Sequence, residues 1–467
     1  MKLRHAIIDI GSNAIRAVVY DDQTLGAPEI YNDKFRSDIL SLLALDNIDI
    51  KHSVYLTLRY FANIFQQLGV VRIDCVATAI LRHHPKGPEF AAIVLEKYNI
   101  NIDIISGERE AYLTSAGLIS GVTDAQGMAA DLGGGSLELA EIHGRQVETL
   151  HSLPLGTKMI SADATVDSLL DQISESLNPK HICKNLYLIG GAFRFIGRYY
   201  MDFVRYPLKT LHNLEISHDD FWIYLEKLDS IAKINPLYQT KRIDHRAIMV
   251  AQALLRVIKP QKIVISNYGL KEGVRFVSLS EAEQSKDIIL ERCKKLADFD
   301  EASCKVEKYH QLIMSLLVDA DTIVEKVIDL AVILASFSKN IDRTLKANFI
   351  AEFILSSDMP FSHRQRIMLS LAVSYAFSSK SDLYIHKLAR KMIGKKDYHS
   401  SQIIGSIIRI AREVDGPEFK QPSFNLKLHD RYIEITTSEI LPKTIFDAVC
   451  DRLKDIAYAR KIARYNV

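Results

Sequence analysis

Asp9-Ile10-Gly11-Ser12-Asn13 and Asp131-Leu132-Gly133-Gly134-Gly135-Ser136 decide how this chain reads. Each follows a short apolar run, His5–Ile8 before the first and Gly127–Ala130 before the second, and each run reads as a strand. Glycines let the backbone turn tightly and bring successive N–H groups against an anion. An Asp at a strand end can hold a hard cation, directly or through water, beside the same phosphate. One Asp-x-Gly turn is ordinary punctuation. Two of them, both on strands and both with Ser after glycine, point to a phosphate held from two sides.

Outward from the first loop, Ala14–Tyr20 is β-branched and is expected to pair with Ala6–Ile10 as a hairpin turning on that loop. Leu56–Leu68 has helical apolar spacing, Ile73–Ala77 returns to strand, and Glu89–Lys97 reads as helix. Asp103–Ile105 reads as strand and Gly107–Gly117 as a helix with an acidic first turn. Near residue 127 the pattern restarts with a strand, the second loop, then Leu137–His143 and Gln146–Ser152 as strands. A strand–glycine loop–strand–strand unit therefore occurs twice, each time followed by helices. This predicts a duplicated α/β architecture with a cleft between the halves.

Leu186–Ile189 leads into Gly190-Gly191-Ala192, and Lys262–Ser266 leads into Asn267-Tyr268-Gly269-Leu270, as late strands of the second half. Beyond about residue 285 glycine becomes scarce, and His310–Val318, Thr322–Ser336, Ala347–Leu355 and Arg364–Ala376 have helical spacing. Strand-like patches return at Asn425–Leu428 and Arg431–Thr436. The expected domains are 1–122 and 123–283, both α/β, and a mostly helical 284–467.

The 467 residues are 48% hydrophobic and 25% charged, as in an ordinary globular protein, and a net charge of +2 gives no global attraction to DNA or membrane. The five cysteines are scattered without a C-x-x-C pair, which argues against zinc and against a disulfide framework and favours a reducing compartment. No secretory apolar region opens the chain. The most apolar late stretch, Val327–Phe337, contains Asp329 and is too short to span a bilayer. The expectation is a soluble cytoplasmic protein with no nucleic-acid or membrane partner.

Ile105-Ser106-Gly107-Glu108-Arg109-Glu110-Ala111 puts two carboxylates in a first helical turn, where they complement the helix dipole. Beside a phosphate cleft, one of them suits proton abstraction from water. Phosphoryl transfer rests on positioning and charge neutralisation, so a base, a cation and N–H donors form a sufficient set. Arg82 stands where a strand passes into a helix, either on the surface or as a guanidinium clamp on phosphate. Arg16 follows the first loop among apolar residues, which favours a specific partner. Glu138 alternates with Leu137 and Leu139 and so faces away from them, toward solvent or the cleft.

Asp-Ile-Gly-Ser-Asn (Asp9–Asn13), Ala77-Thr78-Ala79-Ile80-Leu81-Arg82, Ile105–Ala111, Asp131–Leu139 and Leu153-Pro154-Leu155-Gly156 occur in this order. Together they resemble the motifs of exopolyphosphatases and guanosine pentaphosphate phosphohydrolases, a family of the actin-like ATPase superfold. Gly269-Leu270-Lys271-Glu272-Gly273 resembles that family's closing Gly-Leu-Arg-Glu-Gly, so the likeness covers about residues 1–280. It implies duplicated actin-like (ribonuclease H-like) domains with an interdomain cleft and a helical C-terminal domain similar to a degenerate His-Asp phosphohydrolase.

The resemblance also implies removal of a terminal phosphate from inorganic polyphosphate, or of the 5′ γ-phosphate from pppGpp, with Mg2+ and optionally a monovalent cation such as K+. By position Glu110 would be the base, Arg82 a clamp, and Asp131, Glu138 and Asp9 the metal holders. Gly11, Ser12, Asn13 and Arg16 would face Gly133, Gly134, Gly135 and Ser136 across the phosphate. A homodimer, with the C-terminal helices as a plausible interface, is the family expectation.

Some positions depart from that pattern. Ala14 replaces the usual Ser or Thr, and His83-His84-Pro85-Lys86-Gly87 replaces an Asn-Gly. Gly190-Gly191-Ala192-Phe193-Arg194 lacks the Gly-Thr of the superfold's kinases, and a bulky Phe193 there argues against a nucleotide base. No His-Asp pair occurs around Ser336–Leu355; His218-Asp219 and His429-Asp430 read as capping or surface residues. A polyanion would need a basic track, for which Lys158, Arg194, Arg198 and the helices expected at Lys387–Lys396 and Arg452–Arg464 are candidates. The competing readings are a pppGpp hydrolase, a kinase of the superfold, and a binder of polyphosphate or alarmone.

Overall fold

The computed structural model describes residues 3–45, 50–122, 124–177, 183–234, 244–299, 304–317, 319–336, 341–342, 344–378, 383–416, 418–429, 432–460 and 464–466. Asp430 and Arg431, and 461–463 of the late basic stretch, lie outside them. The chain divides into two compact units, residues 1–205 with 211–288, and 206–210 with 289–467.

The first unit holds two sheets of the same design. In one, β1 (Arg4–Ile10), β2 (Ala14–Tyr20), β3 (Glu29–Arg36), β4 (Val70–Ala77) and β5 (Ile102–Ile104) lie in the order β3-β2-β1-β4-β5. In the other are β6 (Gln126–Leu132), β7 (Leu137–His143), β8 (Gln146–Leu153), β9 (Asn185–Ile189), β10 (Leu214–Ser217) and β11 (Lys262–Ile265), in the order β10-β11-β9-β6-β7-β8. β1 pairs antiparallel with β2 and parallel with β4, just as β6 pairs antiparallel with β7 and parallel with β9. The duplication is real, and the lobes are the two actin-like domains, with a mostly helical region after them.

Strand β1 shows how the pattern builds the first lobe. Alternate side chains face opposite ways. Ala6, Ile8 and Ile10 enter a core with Val54, Leu58, Phe61 and Phe65 of the helix Ser53–Gln67. Those helical residues recur at one-turn spacing, the stripe that an amphipathic helix buries. Ile7 faces the other way, into a cluster with Val18, Val76, Leu113 and Val274. On that second face the row runs His5, Ile7, Asp9, so one apolar residue separates a buried histidine from an acid at the strand's carboxyl end.

Two helices cover that second face. Gly107–Gly121 contributes Leu113 to the first lobe's cluster, and Leu118 and Ile119 to a cluster with Ala129, Ile142 and Ile189 of the second sheet. Leu270–Val277 crosses it. The two backbones approach so closely that a Cβ on Gly273 would overlap the Leu113 carbonyl, and one on Gly117 the Gly269 carbonyl. Only glycine permits that approach. Arg275 anchors the second helix: it is buried, bonds His5 Nδ1 at 2.7 Å and the Asp22 carbonyl at 2.7 Å, and lies 4.9 Å from the Tyr20 ring.

The second unit is built around His363–Phe377, a helix buried on nearly every side. A Cβ on Gly405 of the helix Lys395–Val414 would meet its Ala372 carbonyl. Arg366, fully buried, bonds the Ser357 carbonyl at 3.0 Å and the Met359 carbonyl at 2.5 Å beyond the end of the helix Lys346–Ser356. A small sheet orders β12 (Phe424–Leu428), β13 (Tyr432–Thr437) and β14 (Arg464–Asn466). Lys387–Lys396 is not one helix: Tyr384–Met392 ends, and Gly394 caps the next. Arg464 belongs to β14. Folding also pairs His310 with Asp329 at 2.7 Å, from separate helices.

Replacing Gly273 by Ala should destabilise the first unit by about 2–4 kcal/mol, since neither backbone has a side chain that can yield. Urea unfolding measures this, and an unchanged midpoint would show that the crossing tolerates a wider spacing.

Candidate active site

Both glycine loops close by the same backbone bond, Gly11 N–H to the Ala14 carbonyl and Gly133 N–H to the Ser136 carbonyl, each 3.0 Å. They face each other across a cleft of about 240 Å3. A Cβ on Gly134 would collide with Ser12 Oγ, and one on Gly156 with the backbone of Gly135 and Ser136. The segment after Leu155 supports the second loop through Thr157 N–H to the Gly133 carbonyl (3.0 Å) and Lys158 N–H to the Gly134 carbonyl (2.8 Å). Lys158 Nζ then reaches the Ser12 carbonyl at 2.9 Å, joining the two loops.

Strand register sets the charges. Asp9 lies opposite Arg16, and Arg16 opposite Lys34, on adjacent strands. In the second sheet Asp131 lies opposite Glu138, and Glu138 opposite Ser152. Arg16 and Glu138 therefore occupy matching positions, seven residues after the matching aspartates. One lobe presents a cation where the other presents an acid.

Glu110 sits in the first turn of Gly107–Gly121, whose N-terminus is capped by Ser106 Oγ accepting from Arg109 N–H at 3.1 Å. Arg82 Nη1 donates to Glu110 Oε2 at 3.0 Å and to the Ile105 carbonyl at 2.9 Å. One turn further on, Thr114 Oγ1 donates to Asp131 Oδ2 at 3.1 Å. Glu138 is buried beneath the second loop and accepts from Ser152 Oγ at 3.1 Å.

Burial pushes the carboxyls upward. Glu110 rises to about 7, by burial first, with Asp131 and Asp9 adding to it and Arg82 opposing. Asp9 rises to about 6, through burial and then the charge of Asp131. Asp131 and Glu138 move the same way, burial again leading. Acids crowded in this manner fit a hard cation, which would remove their repulsion. Among the described residues, though, only Glu141, His143 and Glu148 bring three such ligand atoms within 4.8 Å of one another, and they stand on the β7–β8 hairpin outside the cleft. The cleft acids thus form no closed cage, and the fit is to an ion that keeps waters and takes phosphate oxygens, as Mg2+ does.

Of the residues singled out from sequence, Asp9, Gly11, Ser12, Asn13, Arg16, Glu110, Asp131 and the run Gly133–Ser136 line the cleft. Arg82 and Glu138 stand behind its wall, Arg82 against Glu110 and Glu138 against Ser152. Ala14 lines it without a hydroxyl.

Phe193 requires a correction. It lies in the first turn of the helix Gly191–Phe203 and is fully buried away from the cleft, so its bulk says nothing about a nucleotide there. The charged cleft residue of that turn is Arg194, with Gly191 and Ala192 lining the cleft beside it at a helix N-terminus that itself favours anions. Gly190 has φ +96° and a Cβ there would strike Asp131, so glycine is required.

Lys34, Thr114 and Glu272 were not given roles from sequence. Glu272 lines the cleft from the closing glycine motif, with Oε2 accepting from Gly269 N–H at 3.0 Å, and that motif was a usable signal. Lys34 carried none.

A family model for the Ppx/GppA phosphatase family matches residues 24–282, beginning after the first glycine loop and covering more than half of the chain. The Ppx-GppA enzyme of Aquifex aeolicus is 19% identical, covers 58% of this chain and 98% of its own, and superposes with a TM-score of 0.50. That likeness supports the fold. An exopolyphosphatase from Cytophaga hutchinsonii is 20% identical over 59% of this chain and 97% of its own, at a TM-score of 0.47. No helix among the described residues is long and apolar enough to cross a membrane. With more than half its length matched to the family model, and two like lobes closing on two like glycine loops, the chain belongs to the Ppx/GppA phosphatase family.

Proposed function

We propose that this protein is an exopolyphosphatase that hydrolyses the terminal phosphoanhydride of inorganic polyphosphate. The observation that carries the reading is Glu110, a buried carboxyl at about 7, standing at the cleft between two facing glycine loops. A base works best with a pKa near the working pH, and this one is held in place by Arg82. Backbone N–H groups of Gly11–Asn13 and Gly133–Ser136 receive the terminal phosphate, with Arg16 and Arg194 offsetting its charge. Glu110 takes a proton from water as the water oxygen attacks the terminal phosphorus, and the bond from that phosphorus to the bridging oxygen breaks, the shortened chain leaving with the electron pair. Arg82 acts through Glu110 and is a positioning residue. Asp131, with Asp9 and Glu138, would hold Mg2+, which when bound neutralises charge on the transferring phosphoryl group.

A second reading, 5′-phosphohydrolysis of pppGpp, has its own support. A larger chamber of about 1030 Å3 adjoins the cleft, and Phe195, 48% exposed, stands on its wall beside Ile196. An aromatic face of this kind suits a purine. Phosphate release from long-chain polyphosphate, pppGpp and ATP, compared with Mg2+ present, tests the assignment. Release from polyphosphate alone establishes the first reading, release mainly from pppGpp the second, and silence on all three rejects both.

Glu110→Gln should keep the fold and polyphosphate binding but lower kcat by roughly 10²–10⁴-fold, the usual worth of a general base. Because the base acts ionised and its pKa is raised, wild-type kcat/KM should climb with pH through about 7. A flat profile from pH 5.5 to 8.5 would remove Glu110 from the role.

The crowded acids also affect stability. A carboxyl raised on folding favours the folded state below its unfolded pKa, and this contribution is lost as pH rises through the folded values, about 6 for Asp9 and about 7 for Glu110. At pH 8, millimolar MgCl2 should therefore raise the melting temperature by about 2–4 °C. Asp131→Asn should melt higher than wild type without the ion and lose most of the increment. Equal responses in both proteins would count against Asp131 as a metal holder.

A further inference from the structure

Arg16, Lys34 and Arg194 all line the cleft, and none forms an ion pair among the described residues. Arg16 is held by two bonds to Asn32 Oδ1, at 3.0 and 2.8 Å. Arg16 and Lys34 are direct cross-strand neighbours, a like-charge pair that weakens a bare sheet. Lys34 stands on the exposed edge strand, yet its amine is held below its usual range, by lost hydration first and then by Arg194 and Arg16. An anion lying over the pair would relieve both penalties.

Position along β3 gives the pair a direction. Arg16 and Arg194 line only the inner cleft, Lys34 lines both it and the adjoining chamber, and Arg36 and Lys158 line only that outer chamber. Lys34 and Arg36 are two residues apart on one strand, so they share a face with a spacing of about 7 Å.

We propose that the edge strand β3 is the leaving-chain track of the enzyme. Lys34 binds the phosphate next to the one cleaved, and Arg36 with Lys158 binds the phosphates beyond it, so that a linear polyanion leaves the inner cleft along this strand into the outer chamber. The proposal rests on the phosphohydrolase reading and adds to it a set of chain-length determinants. Of the track candidates visible in sequence, Lys158 and Arg194 stand at the chambers, while Arg198 is exposed and lines neither.

The test is calorimetric titration of the full-length protein in EDTA with inorganic tripolyphosphate and with long-chain polyphosphate, phosphate release being assayed separately with Mg2+. Wild type is compared with Lys34→Met, Lys34→Arg, Arg36→Met and Arg198→Met, all at partly or fully exposed positions that the fold tolerates. Lys34→Met should weaken both ligands by about tenfold, the loss of one charge-assisted contact, and Lys34→Arg should restore most of it. Arg36→Met should weaken the long chain by about tenfold and tripolyphosphate by less than about twofold, and the difference should shrink in high salt. Arg198→Met should match wild type.

If wild type binds and hydrolyses polyphosphate while Lys34→Met and Arg36→Met bind it unchanged, the track alone is overturned. If wild type neither binds nor hydrolyses either polyanion, the track and the reading beneath it fall together. If, in a parallel titration with GTP, the two variants lose affinity for the nucleotide but keep it for polyphosphate, the outer chamber is a nucleoside site and the track is overturned.

Discussion

The contact between two bare stretches of backbone, Gly117 against Gly269 and Gly273 against Leu113, is the constraint from which the site follows. It brings the helices Gly107–Gly121 and Leu270–Val277 together where both sheets present their ionic strand ends. Each helix delivers an acid from its first turn, Glu110 from one and Glu272 from the other. Any side chain at the crossing would part the helices and move Glu110 relative to Asp131, to which Thr114 of the same helix is already bonded. Glu110 and Asp131 are thus placed by one rigid element rather than by two adjustable loops.

Against that rigid floor, the walls differ in one decisive respect. The hairpins β1–β2 and β6–β7 share their register and their loop-closing bond, yet carry Arg16 and Glu138 at matching places. A symmetrical pair of acids would repel phosphate from both sides. A symmetrical pair of cations would leave nothing to hold a metal. Inverting one charge leaves each lobe with both signs, Asp9 and Arg16 on the first and Asp131, Glu138 and Arg194 on the second, and a metal–phosphate complex carries both signs too.

The loops were legible because their chemistry is local: Asp, Gly and Ser stand adjacent in sequence, and apolar alternation marks the strands before them. Sequence spacing ends helix Gly107–Gly121 early, at Gly117, because the helix is buried between two sheets and shows no polar stripe in its later turns. Strand β3 escaped delimitation for the opposite reason. From Asn32 onward every residue of it is exposed, so no alternation marks it, and Lys34 went unseen with it. The direction of Phe193 is not legible in the sequence because it depends on helical phase, which a glycine-rich stretch hides. The Arg82–Glu110 bond joins residues 28 apart, and only the meeting of β4 and the following helix beside β5 brings them together.

The order in which the chain is made adds a consequence. The first lobe's strands and its outer helices are complete by residue 121, but the inner cluster of Ile7, Val18, Tyr20, Val76 and Ile105 is closed by Val274, with Arg275 bonding back to His5. A chain emerging from the ribosome therefore carries that sheet with one apolar face partly bare while some 150 further residues are synthesised. Contacts so distant in sequence close slowly. The first lobe is thus completed only after the strands of the second, and a nascent chain stalled before Val277 would present an uncovered β-surface to chaperones and to other unfinished copies of itself.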